Sequence, residues 1–186
     1  MARLRFETAR DVFEAFQGAE HELNLEPTDD PSLDFLASLT SSGEFDKAVG
    51  FCAFLLPRRE AVWWGCRSVR KFVPKRTLDE EEGIRVAEEW VREPDEERRR
   101  IALELGTRYS VKLATTHLAQ AAGCAGHSFS IGAGDPIPIR PDQTARCVRS
   151  AILVAGCRLT LAERPDLMRS CLEDGAKIAS DETLGP

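Results

Sequence analysis

Pro57-Arg58-Arg59-Glu60-Ala61-Val62-Trp63-Trp64-Gly65-Cys66 joins two helical patterns that lie back to back in the first half of the chain. Upstream, Phe45, Ala48, Val49, Cys52, Leu55 and Leu56 recur three and four apart and form one apolar stripe. An α-helix turns about 100° per residue, so this spacing predicts a helix over Glu44 to Leu56. Phe51 and Phe54 fall on its far side, and a helix apolar nearly all round is buried on more than one face. It is too short for a membrane span, which needs about 18 consecutive apolar residues. Pro57 suits the first turn of the next helix, where its missing N–H costs nothing, and Pro74 stops that helix at Val73. Val62, Cys66, Val69 and Val73 make its core stripe, with Trp63 at the edge and Trp64 projecting the other way. On this reading Arg58, Arg59, Trp63, Trp64 and Arg67 are a candidate protein-binding surface, because Trp and Arg are enriched at interface hot spots. The competing reading packs Trp64 under a neighbouring element with an Arg stem across its ring.

The composition is that of a folded soluble protein: 186 residues, 42% apolar, 30% charged, net charge −6. Acids and bases interleave, which argues against nucleic acid as a partner, since phosphate binding needs a net basic face. Residues 1–16 have no long apolar run and carry Glu7, Asp11 and Glu14, unlike a secretory signal or transit peptide. Six cysteines stand at positions with no two-residue spacing. Free, mostly buried thiols in a reducing cytoplasm are expected.

In chain order, Thr8 caps a helix over Ala9 to Leu23 with Asp11 placed for a capping box. Glu26 to Pro31 is a loop, and Pro31-Ser32 opens a short helix with Leu33, Leu36 and Leu39 inward. Thr77-Leu78-Asp79-Glu80 is a second capping box, ahead of Ile84, Ala87, Trp90 and Val91 on one face. Glu93-Pro94 breaks that helix and Pro94 to Glu97 starts another. There Asp95–Arg99 and Glu96–Arg100 sit four apart as solvated pairs. Ser110 caps a helix over Val111 to Ala122, closed by Gly123. Residues 123–141 form a Gly/Pro-rich loop, in which Ile131, Ile137 and Ile139 are placed to clip the segment along the bundle. Pro141-Asp142 opens a helix to Leu159, whose Ala145, Ala151, Ala155 and Gly156 allow close helix approach. A last helix begins near Thr160 or Pro165, and residues 181–186 read as a frayed tail. No strand emerges. The fold class is all-α: one irregular bundle of about eight helices over residues 1–186, with a helix-pair rhythm that also fits a stack.

Chemistry has one place to start. Cys124, His127 and Asp135 share the loop, and a Cys–His pair activates a thiolate in many enzymes. Three residues apart in a Gly-rich loop fixes no geometry, however. No phosphate loop, paired metal ligands or dinucleotide fingerprint accompanies them, so no catalytic residue, cofactor or metal is expected. His117 lies on an apolar stripe and reads as a core residue with one hydrogen bond.

Leu55-Leu56-Pro57-Arg58-Arg59-Glu60-Ala61-Val62-Trp63-Trp64, Ala87-Glu88-Glu89-Trp90-Val91 and Pro94-Asp95-Glu96-Glu97-Arg98-Arg99 together resemble an uncharacterised bacterial family of similar length. Ala121-Ala122-Gly123, Thr144-Ala145 and Ala151-Ile152-Leu153 extend the likeness over most of the chain. The resemblance implies genes within type VI secretion clusters and an accessory role, as an adaptor or chaperone. It carries no catalytic residue. Three readings are therefore expected to compete. One is a cytoplasmic adaptor that docks a secretion-apparatus component or an effector. Another is a small Cys/His enzyme. The third is a homodimer formed through the helix Thr144 to Leu159 or the Trp64 face. Neither nucleic acid nor a membrane is an expected partner.

Overall fold

Helix ends in this chain follow local chemistry. Thr8 and Thr77 each accept from the backbone N–H three residues on, and Asp11 and Glu80 accept in return from the cap N–H. Asp95 caps a third helix by accepting from Arg98 N–H at 2.8 Å. A computed structural model describes residues 4–129 and 135–180. Among them stand ten helices: α1 (Ala9–Ala15), α2 (Ala19–Leu23), α3 (Ser32–Ser41), α4 (Phe45–Leu55), α5 (Arg58–Phe72), α6 (Leu78–Arg92), α7 (Glu96–Arg108), α8 (Ala114–Gly123), α9 (Gln143–Gly156) and α10 (Arg164–Ala179). The strands β1 (Ser128–Phe129) and β2 (Ile137–Pro138) pair antiparallel, Ser128 opposite Pro138.

The architecture is all-α as the pattern implies, with local corrections. The first helix is broken, because Phe16 leaves helical geometry and Gly18 takes φ +87°, which favours glycine. This break adds one helix to those the pattern implies, and the last helix stands apart as α10, as expected. The helix placed after Ser110 starts three residues later than expected, at Ala114, behind a turn closed by Leu113 N–H on Ser110 O. The segment 123–141 is not wholly irregular, since β1 and β2 form a short ladder within it. The acidic–basic pairs at the start of α7 close at three residues: Asp95 holds Arg98 and Glu96 holds Arg99. Ile131 and the tail 181–186 lie outside the described residues.

One hydrophobic core runs from α1 to α10. Helix α8 sits at its centre, against α5, α6, α7 and α9. Arg58, opening α5, reaches the carbonyls of Ala125 and Pro141. Two turns on, Gly65 faces Leu118 and Val148. Helix α5 therefore runs alongside α9 and against α8. Gly123 stands against Leu103 and Gly106 against Gln120, so α7 also runs against α8. This alternation gives the bundle two ends. One holds the starts of α5, α7 and α9 and the end of α8. The other holds the starts of α6, α8 and α10. No described helix is long and apolar enough to cross a membrane.

Candidate functional site

The five residues of the aromatic–basic surface do not meet on an open face. Trp64 is 0% exposed. Its indole N–H donates to the Cys171 carbonyl at 2.8 Å, from α5 into α10. The expectation that Trp64 anchors a partner is thereby corrected. Helix α5 carries a second buried stripe, Ala61, Trp64, Gly65, Ser68 and Phe72, beside Val62, Cys66 and Val69. The unburied side of α5 is the one carrying Glu60, Trp63, Arg67 and Arg70, and Trp64 lies off it. Trp63 is half-buried, with the Arg67 guanidinium 5.8 Å from its ring centre. Arg67 also approaches Asp174 at 3.9 Å.

The arginines hold backbone. Arg59 Nε donates to Val91 O at 2.7 Å, satisfying a carbonyl at the end of α6. Arg58 Nη1 donates to Ala125 O at 3.0 Å, and Nη2 reaches Pro141 O at 3.4 Å. Arg99 donates to Gly123 O at 2.6 Å and Ser128 O at 3.1 Å, and pairs with Glu96. Helix C-termini leave carbonyls without intrahelical partners, and cations there are favoured by the helix dipole. Arg58 and Arg99 thus pin both feet of the segment 123–141 to the bundle.

Cys124 and His127 do not form a nucleophile–base pair. His127 is exposed, and only its backbone carbonyl is engaged, by Ile139 N–H at 2.8 Å. Asp135 is exposed as well. Cys124, half-buried at the end of α8, instead meets Cys147 of α9. The hydrogen bond from Cys147 lowers the Cys124 thiol below its ordinary pKa, and the Arg99 charge adds to this. Cys147 is pushed up by donating that bond and by burial. Gln143 Nε2 donates to the Cys147 sulfur at 3.6 Å. Burial pushes the Cys52 and Cys66 thiols well up and Cys171 to about 12, so these three are inert. His117 makes a hydrogen bond to Val111 O at 2.8 Å, but it is only partly buried and so is not the core residue its stripe suggested. The small residues of α9 are spent inside: Ala145, Ala151, Ala155 and Gly156 are buried, and α10 approaches Gly156 through Met168.

The opposite end has a different character. Leu78 is 90% exposed, Val111 63% and Leu161 91%. Contacts beneath bring their segments together. Arg158 pairs with Glu80 at 2.5 Å, tying the α9–α10 connection to the first turn of α6. Tyr109 O–H donates to Glu82 at 2.6 Å, and Gly83 stands against Thr115. The sequence reading missed these three apolar residues. Their signal is weak but real: Leu78 and Val111 fall off the buried stripes of their own helical patterns, and Leu161 sits among Thr160, Ala162 and Glu163 in a connection. A polar surface cleft of about 450 Å³ is lined by Glu89, Arg92, Glu93, Glu97, Arg98 and Ile101.

Neither a curated protein nor a solved structure matches the chain. A family model described as a family of unknown function (DUF6931) matches residues 35–179, from within α3 to the end of α10. That span covers most of the 186 residues, and the chain belongs to this family of unknown function, DUF6931.

Proposed function

We propose that the chain is a non-catalytic, protein-binding accessory protein whose docking surface is the end bearing Leu78, Val111 and Leu161. The observation that carries this reading is that three large apolar side chains are exposed on segments that meet at one end of the bundle. Isolated exposed leucines are common, whereas a shared apolar patch marks interaction sites. The exposed Lys75, Asp79 and Lys112 lie close to them in sequence and would supply the polar rim of such an interface. The likeness to a bacterial family encoded in type VI secretion clusters supplies the finer reading: an adaptor or chaperone that holds an effector or a component of the apparatus in the cytoplasm.

The test pairs wild type with a Leu78→Glu/Leu161→Glu variant. Each is co-expressed with effector and spike-tip proteins of a type VI secretion cluster, and complexes are isolated by size exclusion with light scattering. Retention of one such protein by wild type, and its loss from a variant with unchanged melting temperature, is the expected result. Equal retention by both overturns the surface. A wild-type chain that runs as a dimer and a variant that runs as a monomer would assign the patch to self-association instead.

A further inference from the structure

Arg5 and Arg58 share a cavity that the docking reading leaves unused. Arg58 is the first residue of α5, and Arg5 precedes α1. Both line an enclosed space of about 10 Å³, room for one water-sized occupant. Its other walls include Phe54, Leu56, Ala61, Thr144 and Ala145, all buried, and no carboxylate stands among them. Among the described residues neither guanidinium pairs with an acid. Arg5 Nη1 donates to Leu56 O at 3.0 Å, and its guanidinium carbon lies 4.7 Å from the Phe6 ring centre and 5.4 Å from that of Phe16. Arg58 donates to the Ala125, Gly126 and Pro141 carbonyls. A guanidinium carries five N–H donors, so donors are left over on both side chains. Burial and the charge of Arg58 hold the Arg5 pKa below its ordinary value; Glu60 opposes them but does not line the cavity. Two like charges against apolar walls are costly until a counter-charge joins them.

We propose that the cavity between Arg5 and Arg58 is a binding site for one small monovalent anion of chloride size. The volume decides the class: phosphate, sulfate and any nucleotide are too large, whereas a monatomic ion fits. Arg5 and Pro141 are the exposed members of the lining and leave a route for an ion from solvent. Water would fill the same space but brings no charge to the two guanidiniums. The helix starts add to the preference. Arg58 opens α5, Thr144 and Ala145 lie in the first turn of α9, and neither helix has a side chain capping its N–H groups. Anions are favoured at such ends. A bound anion would tie the chain ahead of α1 to the start of α5, and would brace Arg58 where it holds the segment 123–141 through Ala125 O and Pro141 O.

The experiment compares the melting temperature of the full chain in sodium chloride and in sodium gluconate at equal ionic strength, because gluconate is too large to enter. Chloride should raise it saturably, by about 2–4 °C when the ion stands a few times above its Kd. Arg5→Met keeps an apolar stem beside Phe16 but removes the charge, and should lose that increment. Crystals of the wild-type chain grown in sodium chloride, measured at long wavelength, should show an anomalous chloride peak between Arg5 and Arg58; this needs no variant. Equal melting in the two salts overturns the proposal, as does an increment that Arg5→Met retains. An anomalous map with no peak in the cavity, or with chloride only elsewhere, overturns it as well.

Discussion

Trp64 carries an indole N–H to a place without water, and the chain supplies Cys171 O to receive it. Ser68 completes the arrangement, donating to Trp64 O at 2.8 Å and lying 3.0 Å from the Cys171 sulfur. The ring needs room from α10, and Gly175 gives it: a Cβ there would stand 3.0 Å from the indole and 2.5 Å from Cys52 Sγ. Trp64→Ala should therefore cost about 3–5 kcal/mol through cavity formation and a stranded carbonyl. Gly175→Ala should cost about 1–3 kcal/mol by overpacking. Urea denaturation midpoints at constant slope check both. Loss of a partner from Trp64→Ala would then report unfolding, not a docking surface. The periodicity of α5 identified one stripe, Val62, Cys66 and Val69, and left Trp64 facing out. Ala61, Gly65 and Ser68 on the same side are the mark of close helix approach that a single-stripe reading passes over. Burial of a second face depends on which helices arrive there, and that is long-range information.

At the scale of elements, capping was legible because it is local. Thr77→Ala removes an acceptor from Glu80 N–H and should cost about 1 kcal/mol, read as a lower denaturation midpoint. Where helices stop against each other was not legible. Gly123 faces Leu103 so closely that a Cβ would meet its Cα at 2.5 Å and its N at 2.7 Å. Backbone cannot rotate aside as a side chain can, so Gly123→Ala should push α7 from α8 and cost about 1–3 kcal/mol or more. In sequence Gly123 looked only like a helix stop. The start of α9 contributes to the acid response. Asp142 is buried, which disfavours its charge, but Arg140 at 2.8 Å and Arg146 at 2.7 Å outweigh this and hold its carboxyl below the usual range. A carboxylate with a depressed folded pKa binds fewer protons than its unfolded counterpart. Its stabilisation is present above the ordinary aspartate value, about 4, and is lost as pH falls through the lower folded value. Denaturation midpoints should fall below about pH 4, and Asp142→Asn should flatten part of that fall while lowering stability at neutral pH.

At the scale of the whole molecule, the family match begins at residue 35, and α1 and α2 lie outside it. They are nonetheless part of the core. Phe13 packs on Phe51 with ring centres 5.8 Å apart and on Phe35 at 6.5 Å, and Phe16 meets Phe54 at 5.3 Å. Val12, Phe13, Ala19 and Leu23 are buried. Glu22 of α2 pairs with Arg146 at 2.5 Å and Arg149 at 2.9 Å, across to α9. Backbone bonds tie the start of α1 to the following loop: Ala9 N–H on Asp30 O at 3.0 Å, Arg10 N–H on Thr28 O at 2.9 Å and Ser32 N–H on Glu7 O at 3.0 Å. Two roles follow different energetics. An appended arm resting on a complete core would lose about 1 kcal/mol or less when one of its rings is trimmed, because the arm would simply fray. A segment that completes the core transmits the full cavity cost, about 3–5 kcal/mol for Phe→Ala, to the global transition. The aromatic face of α4, with Phe51 and Phe54 wholly buried beneath these rings, favours the second. Phe13→Ala should lower the stability of all ten described helices together, seen as a coincident shift of the far-UV signal and of tryptophan fluorescence. A small change confined to fast hydrogen exchange in residues 9–23 would make α1 and α2 an arm, and would leave residues 35–179 as the unit that folds.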